Sequence, residues 1–258
     1  MYQKLEARLH DLFWEAQGEA GELPLIERFL KQYPGTALEL GCGSGRLLLP
    51  LLEKGFLIEG LDNSAEMLTL CRNDKGDCDA VLHHASIEDF ELKTLYDAII
   101  IPAFSLQLLD PENMATTLSN IRRHLRPGGG LYLTTFIPWA EIIGELEPGS
   151  WFLDQETKMA DGNTARCYTR FEIKRFAQLL MREHRYEIVS GDAQIVETSE
   201  SAQRLSWYWP REMTMLLYDA GFSTPEIIGD FMPGVPCHDD SQMLTFIVER
   251  DSDEAAPA

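Results

Sequence analysis

The sequence predicts an α/β fold built on a mostly parallel sheet, and three observations carry that reading. Apolar runs too short for helices alternate with stretches of helical period. The run Asp97-Ala98-Ile99-Ile100-Ile101 is almost continuously apolar, as a strand covered on both faces must be. Finally, Thr36–Asp62 reads as strand, glycine turn, helix and second strand, with a carboxylate at the tip of the second strand.

Taken in order, residues 1–33 form two amphipathic helices, the second closed by Pro34-Gly35. The first strand, Ala37 to Leu40, enters the turn Gly41-Cys42-Gly43-Ser44-Gly45-Arg46. A leucine-rich helix follows, distorted by an internal Pro50 and stopped by Gly55. After the strand ending at Asp62, Ser64 caps a helix over Ala65 to Arg72, with Met67 on its ligand side or in the core. A turn at 73–77 leads to a strand over Ala80 to His84, whose adjacent histidines point to opposite faces. Asp110-Pro111-Glu112 opens a helix to Leu125, and Pro127 to Gly130 turns into a strand over Leu131 to Phe136. From Pro138 the period changes to that of an antiparallel β insertion, with Asp161-Gly162 as a tight hairpin turn. Pro210 opens the last helix, which ends at Ala220-Gly221-Phe222, and two short strands, 226–231 and 243–248, finish the sheet.

Glycines in the turn let a ligand approach the main chain without meeting a Cβ. An acid about twenty residues further on is placed to bond both hydroxyls of a ribose. An adenosine-bearing ligand is therefore expected. Arg46 stands where a dinucleotide fold needs its third glycine, and no Gly-Lys-Ser/Thr follows as in a phosphate-binding loop. Glu39 would repel a pyrophosphate but would tolerate an ammonium or a sulfonium.

The run Glu39-Leu40-Gly41-Cys42-Gly43-Ser44-Gly45-Arg46 resembles motif I of the class I S-adenosylmethionine (SAM)-dependent methyltransferases. Gly60-Leu61-Asp62-Asn63-Ser64 resembles their acidic second motif, and the Leu-x-Pro-Gly-Gly turn and Ala-Gly-Phe end also match. The resemblance implies a Rossmann-like sheet of seven strands, mostly parallel with an antiparallel last strand, and SAM as cofactor. It implies a core of residues 1–138 and 205–250 and an antiparallel β lid over 139–204 on the acceptor side; the terminal stretch 251–258 reads as a disordered tail. It places Glu39, Gly41, Cys42, Gly43, Arg46, Asp62, Asn63 and Met67 around the cofactor, with the amides of Gly43 to Arg46 receiving the methionine carboxylate. Ser86 stands where the family has an acid for the adenine amino group, and the Ile87 amide meets the ring. Trp14, within His10 to Trp14, marks a helix packing over the cofactor or plain core.

Pro102, at the tip of the fourth strand, lies beside the sulfonium, and Phe104, Ser105 and Gln107 are acceptor-side candidates. Tyr168 and Arg170 on a lid strand, Trp207 before the last helix and His238 in the final loop complete the set; each is also explained by packing or by a solvated loop. Methyl transfer from a sulfonium is an in-line displacement that needs neither a metal nor an obvious catalytic side chain, so neither is assigned.

A net charge of −20 over 258 residues argues against nucleic acid as a partner and is compatible with a small cationic or neutral acceptor, an amine or a hydroxyl. Five scattered cysteines without CxxC pairing suit a reduced, cytoplasmic chain, and no run of ~18 apolar residues suggests a membrane span. A SAM-binding regulator without transferase activity stays open beside the enzyme. A nicotinamide oxidoreductase is disfavoured by Glu39 and Arg46. Sequence says nothing of oligomeric state.

Overall fold

The computed structural model describes residues 4–16, 21–74, 79–235 and 237–251. In chain order the elements are α1 (Lys4–Ala16), α2 (Leu23–Gln32), β1 (Thr36–Leu40), α3 (Leu48–Glu53), β2 (Leu57–Asp62), α4 (Ala65–Asp74), β3 (Leu82–His84), β4 (Tyr96–Ile101), α5 (Met114–His124), β5 (Leu125–Phe136) and α6 (Trp139–Ile143). Then come β6 (Phe152–Lys158), β7 (Thr164–Lys174), β8 (Leu179–Val189), β9 (Ile195–Ser206), α7 (Pro210–Asp219), β10 (Glu226–Gly229) and β11 (Met243–Glu249). They form two compact units.

The larger unit, residues 21–137 and 208–258, holds a seven-stranded sheet in the order β10-β11-β5-β4-β1-β2-β3. Strands β1 to β5 run parallel, and β11 lies antiparallel to both β5 and β10. The strand order reverses between β1 and β4, and a parallel sheet opens a crevice there at the carboxyl ends of its strands. Leu38, Leu40, Ile99, Ile100 and Ile101 are fully buried, which is why these runs lack the alternation of a half-exposed strand.

Helix α3 begins only at Leu48, later than its leucine pattern predicts, with Leu49 N–H bonding back to Gly45 O at 2.8 Å. That start puts Pro50 in the first turn, where its missing N–H leaves no bond unmade, so the expected distortion of the helix interior does not arise. Ser64 does cap α4, its Oγ accepting from Met67 N–H at 3.3 Å. Arg122 in the last turn of α5 donates to Gly221 O at 3.0 Å, and Arg250, just after β11, donates to Leu125 O at 2.6 Å.

The smaller unit is a four-stranded antiparallel sheet, β6-β7-β8-β9, with residues 1–20. Sequence reading assigned residues 1–138 to the core; the structure groups α1 with the insertion instead. The reason is its apolar face. Leu5, Leu9 and Phe13 pack on Ala165 and Cys167 of β7 and on Tyr186 and Ile188 of β8. Glu6 is buried there too, accepting from Ser201 Oγ at 3.0 Å. The outer face of β8 and β9 carries charged rather than apolar side chains.

Candidate active site

Asp62 closes β2, and two backbone amides aim its carboxylate. Gly43 N–H donates to Oδ2 at 2.9 Å and Ser64 N–H to Oδ1 at 2.8 Å. The glycine turn therefore folds onto the tip of β2, and Gly41 and Cys42 N–H both donate to Leu61 O. Gly43 and Gly45 N–H are thus engaged within the protein, the latter on Cys42 O at 2.9 Å. Of the amides from Gly43 to Arg46 expected to receive a carboxylate, these two are taken within the protein, and helix α3 starts one turn later, at Leu48.

Glycine is required where the turn meets β4. Gly41 has φ +78°, and a Cβ there would lie 2.8 Å from Ser105 Oγ and 3.6 Å from Ile87 Cδ1. A Cβ on Gly43 (φ +54°) would lie 3.3 Å from Met67 Cε. The structure thus gathers Gly41, Gly43, Asp62, Met67, Ile87 and Ser105 around one turn. Ser86 Oγ accepts from Glu88 N–H at 3.2 Å, and Ala85 N–H from the same segment donates to Asp62 O. Asn63 is exposed, its carbonyl bonding His84 Nε2 at 3.1 Å. Cys42 is buried, and burial drives its thiol far above its usual range.

Buried carboxylates give the site its electrostatic character. Glu39 is 2% exposed, and its Oε2 has no hydrogen-bond partner among the described residues. Burial raises its pKa well above the carboxylate range, opposed by the half-buried Arg46 and reinforced by Glu22 and Asp62. Glu22 escaped the sequence reading. It stands at the N-terminus of α2, where an acid reads as an ordinary cap, and no local pattern shows that its side chain is buried. Burial pushes Glu22 up to about 7, against the Ala103 amide, Arg46, the Tyr132 hydroxyl and Thr134. Desolvated, like-charged groups such as these favour a cationic ligand.

At the tip of β4, Pro102 is buried, and Ala103 and Phe104 both adopt left-handed backbone, φ +51° and +62°. Two consecutive non-glycine residues in that region mark a held conformation. The Phe104 ring packs edge-on against Phe136 at 5.1 Å between centroids. Gln107 is fully buried and braces Phe136: its Nε2 donates to Phe136 O at 3.0 Å and its Oε1 accepts from Phe136 N–H at 2.7 Å. An acceptor contact was expected of Gln107; the amide serves the β4–β5 connection instead.

Trp14 falls outside the described side chains. Arg170 pairs with Glu183 at 2.6 Å and lies over the Trp151 ring at 4.8 Å, while the neighbouring Tyr168 is half-buried opposite Arg185. Trp207 is buried, and its indole N–H has no partner among the described residues. His238 is exposed in a turn closed by Ser241 N–H to His238 O at 3.0 Å. Asp154, Cys167 and His184 bring their ligand atoms within 4.8 Å of one another on the small sheet. Thr169 Oγ1 sits 2.8 Å from both Asp154 Oδ2 and His184 Nδ1, which makes that group a hydrogen-bonded chain.

The methyltransferase domain family matches residues 37–129, from β1 through the β5 turn. Over 242 residues the chain is 25% identical to the dTDP-3-amino-3,6-dideoxy-alpha-D-glucopyranose N,N-dimethyltransferase of Streptomyces fradiae, covering 89% of this chain and 86% of that one. A S-adenosylmethionine-dependent methyltransferase from Clostridium acetobutylicum superposes with a TM-score of 0.79 at 15% identity, over 95% of this chain and 98% of that one. The sugar N-methyltransferase KedS8 from a Streptoalloteichus species gives 0.73 at 21% identity, over 98% and 96%. Residues 37–129 are a methyltransferase domain, and the chain has the fold of the SAM-dependent methyltransferases. Its cofactor is S-adenosylmethionine, and the residues present fit that group: glycines where a Cβ would collide, an acid aimed by two amides, and a buried carboxylate oxygen lacking a partner. Among the described residues of this methyltransferase, no helix is long and apolar enough to cross a membrane.

Proposed function

We propose that this methyltransferase methylates the amine of a small polar acceptor, with nucleotide-linked amino sugars as the first class to test, in a reducing cytoplasmic setting. One observation carries the reading: similarity to a sugar N,N-dimethyltransferase runs over 86% of that enzyme rather than over the cofactor domain alone. The buried acids Glu22 and Glu39 support it, since they suit cationic ligands.

In this reading Asp62 holds the ribose hydroxyls, Ile87 and Ser86 face the adenine, and Glu39, Arg46 and Pro102 border the methionine end. Gly41, Cys42, Gly43, Asn63 and Met67 complete the wall. The cofactor supplies an electrophilic methyl on a sulfonium. The chain's own task is to align the acceptor lone pair, which can supply about 7–11 kcal/mol of the barrier. Phe104 and Ser105, on the strained tip of β4, are the residues proposed to border the acceptor.

Purified protein, SAM and a panel of nucleotide-linked amino sugars, their deaminated hydroxyl analogues and free amino acids would test it, with S-adenosylhomocysteine release and product mass as readouts. Methylation of an amino sugar at nitrogen is the expected result. Turnover of hydroxyl analogues alone would overturn the amine assignment.

A further inference from the structure

We propose that Glu22 is a positioning residue for methyl transfer, its carboxylate pinning the left-handed turn Ala103–Phe104 and so fixing the acceptor side of the site. The inference deepens the reading above and rests on its placement of the acceptor at the tip of β4.

Three groups converge on this carboxylate. Ala103 N–H donates to Oε2 at 3.3 Å, the Tyr132 hydroxyl donates to Oε1 at 3.2 Å, and Thr134 also bonds the side chain. Thr134 Oγ1 in turn accepts from Phe104 N–H at 3.3 Å. Tyr132 and Thr134 share one face of β5, two residues apart, beside the β4 partner pairing Ile101↔Leu133. Both amides of the strained pair are therefore held by a single buried network centred on Glu22.

A backbone conformation that ordinary side chains avoid persists only while its surroundings enforce it. An ionised carboxylate accepts from all three donors at once, and charge-assisted bonds are the stronger kind. The charged groups facing Glu22 are Arg46, which favours ionisation, and Glu39, which opposes it; Tyr132 is held neutral by burial. Protonation turns one carboxyl oxygen into a donor and loosens the clamp.

The test uses the full chain and two variants, Glu22→Gln and Tyr132→Phe, with amide exchange of the 102–106 peptide and steady-state kinetics from about pH 6 to pH 8.5. In wild type kcat rises with pH through a step near 7. In Glu22→Gln, whose NH2 group cannot accept, exchange at the tip speeds up about tenfold, kcat falls by a similar factor with a smaller change in KM for SAM, and the step disappears. Tyr132→Phe keeps the Ala103 bond and retains most of kcat. Unchanged tip exchange together with an unchanged pH profile in Glu22→Gln overturns the proposal. Should that variant not fold, wild-type protein is compared at pH 6 and pH 8: equal tip protection, after correction for intrinsic exchange, overturns it equally. If wild type turns over no acceptor, the acceptor reading fails, while the exchange measurement still decides the role of Glu22.

Discussion

Asp62 is oriented by main-chain amides from two different loops, so its charge can be removed without disturbing a neighbouring side chain. Asp62→Ala should weaken SAM binding at least about tenfold, roughly 1.4 kcal/mol or more, through lost charge-assisted ribose bonds. Isothermal titration on the folded variant checks this, and unchanged affinity would remove Asp62 from the cofactor site. Gly41→Ala combines a positive φ with a contact inside van der Waals distance of Ser105. It should lower stability by about 1–2 kcal/mol and weaken SAM binding by distorting the glycine turn. Wild-type affinity at reduced stability would show that Gly41 serves the fold and not the cofactor wall. The glycines and Asp62 were legible in the sequence because their chemistry is local: turn geometry and strand-end spacing are written in consecutive residues. Glu22 was not, since its partners Ala103 and Tyr132 are 81 and 110 residues away.

At the scale of elements, pattern predicted what is periodic and missed what is compensated. Pro50 looked like a helix breaker because the leucine pattern starts too early; the helix begins where proline is harmless. The insertion strands β8 and β9 carry Arg182, Glu183, Arg185 and Glu200, and their ion pairs replace the alternation that a strand usually shows. Helix α1 was legible as amphipathic, but which sheet its apolar face would meet was not. Its packing makes a definite prediction. Leu9 is 1% exposed in the cluster with Ala165, Cys167, Tyr186 and Ile188, so Leu9→Ala should destabilise the smaller unit by about 2–5 kcal/mol. Limited proteolysis would then cut first within 138–207. Equal cleavage of both units would show that α1 stabilises the whole chain instead.

For the whole molecule, the buried acids tie stability to pH. Glu22 moves from an ordinary 4.5 to about 7 on folding. The folded chain therefore keeps a proton that the unfolded chain releases, so its contribution is complete below 4.5 and is lost as pH rises through about 7. The loss is on the order of 3 kcal/mol for this group, and Glu39 acts in the same direction. Without ligand, melting temperature should fall from pH 5.5 to pH 8, and less so in Glu22→Gln. A cationic ligand favours the ionised acids, so SAM should raise the melting temperature more at pH 8 and release protons on binding. Calorimetry in buffers of differing ionisation enthalpy reads that release directly; heats independent of buffer would contradict the electrostatic account of the site.

The joining of α1 to strands β7 and β8 has a consequence for synthesis. At the ribosome's pace of about 5–20 residues per second, the helix waits on the order of ten seconds or more before its strands emerge. Throughout that interval Leu5, Leu9 and Phe13 lack the strand residues they pack on, while β1 to β5 precede β7 in the chain and are available to pair first. Helix α1 is thus among the last elements to settle, and a chaperone that shields it would raise the yield of active protein.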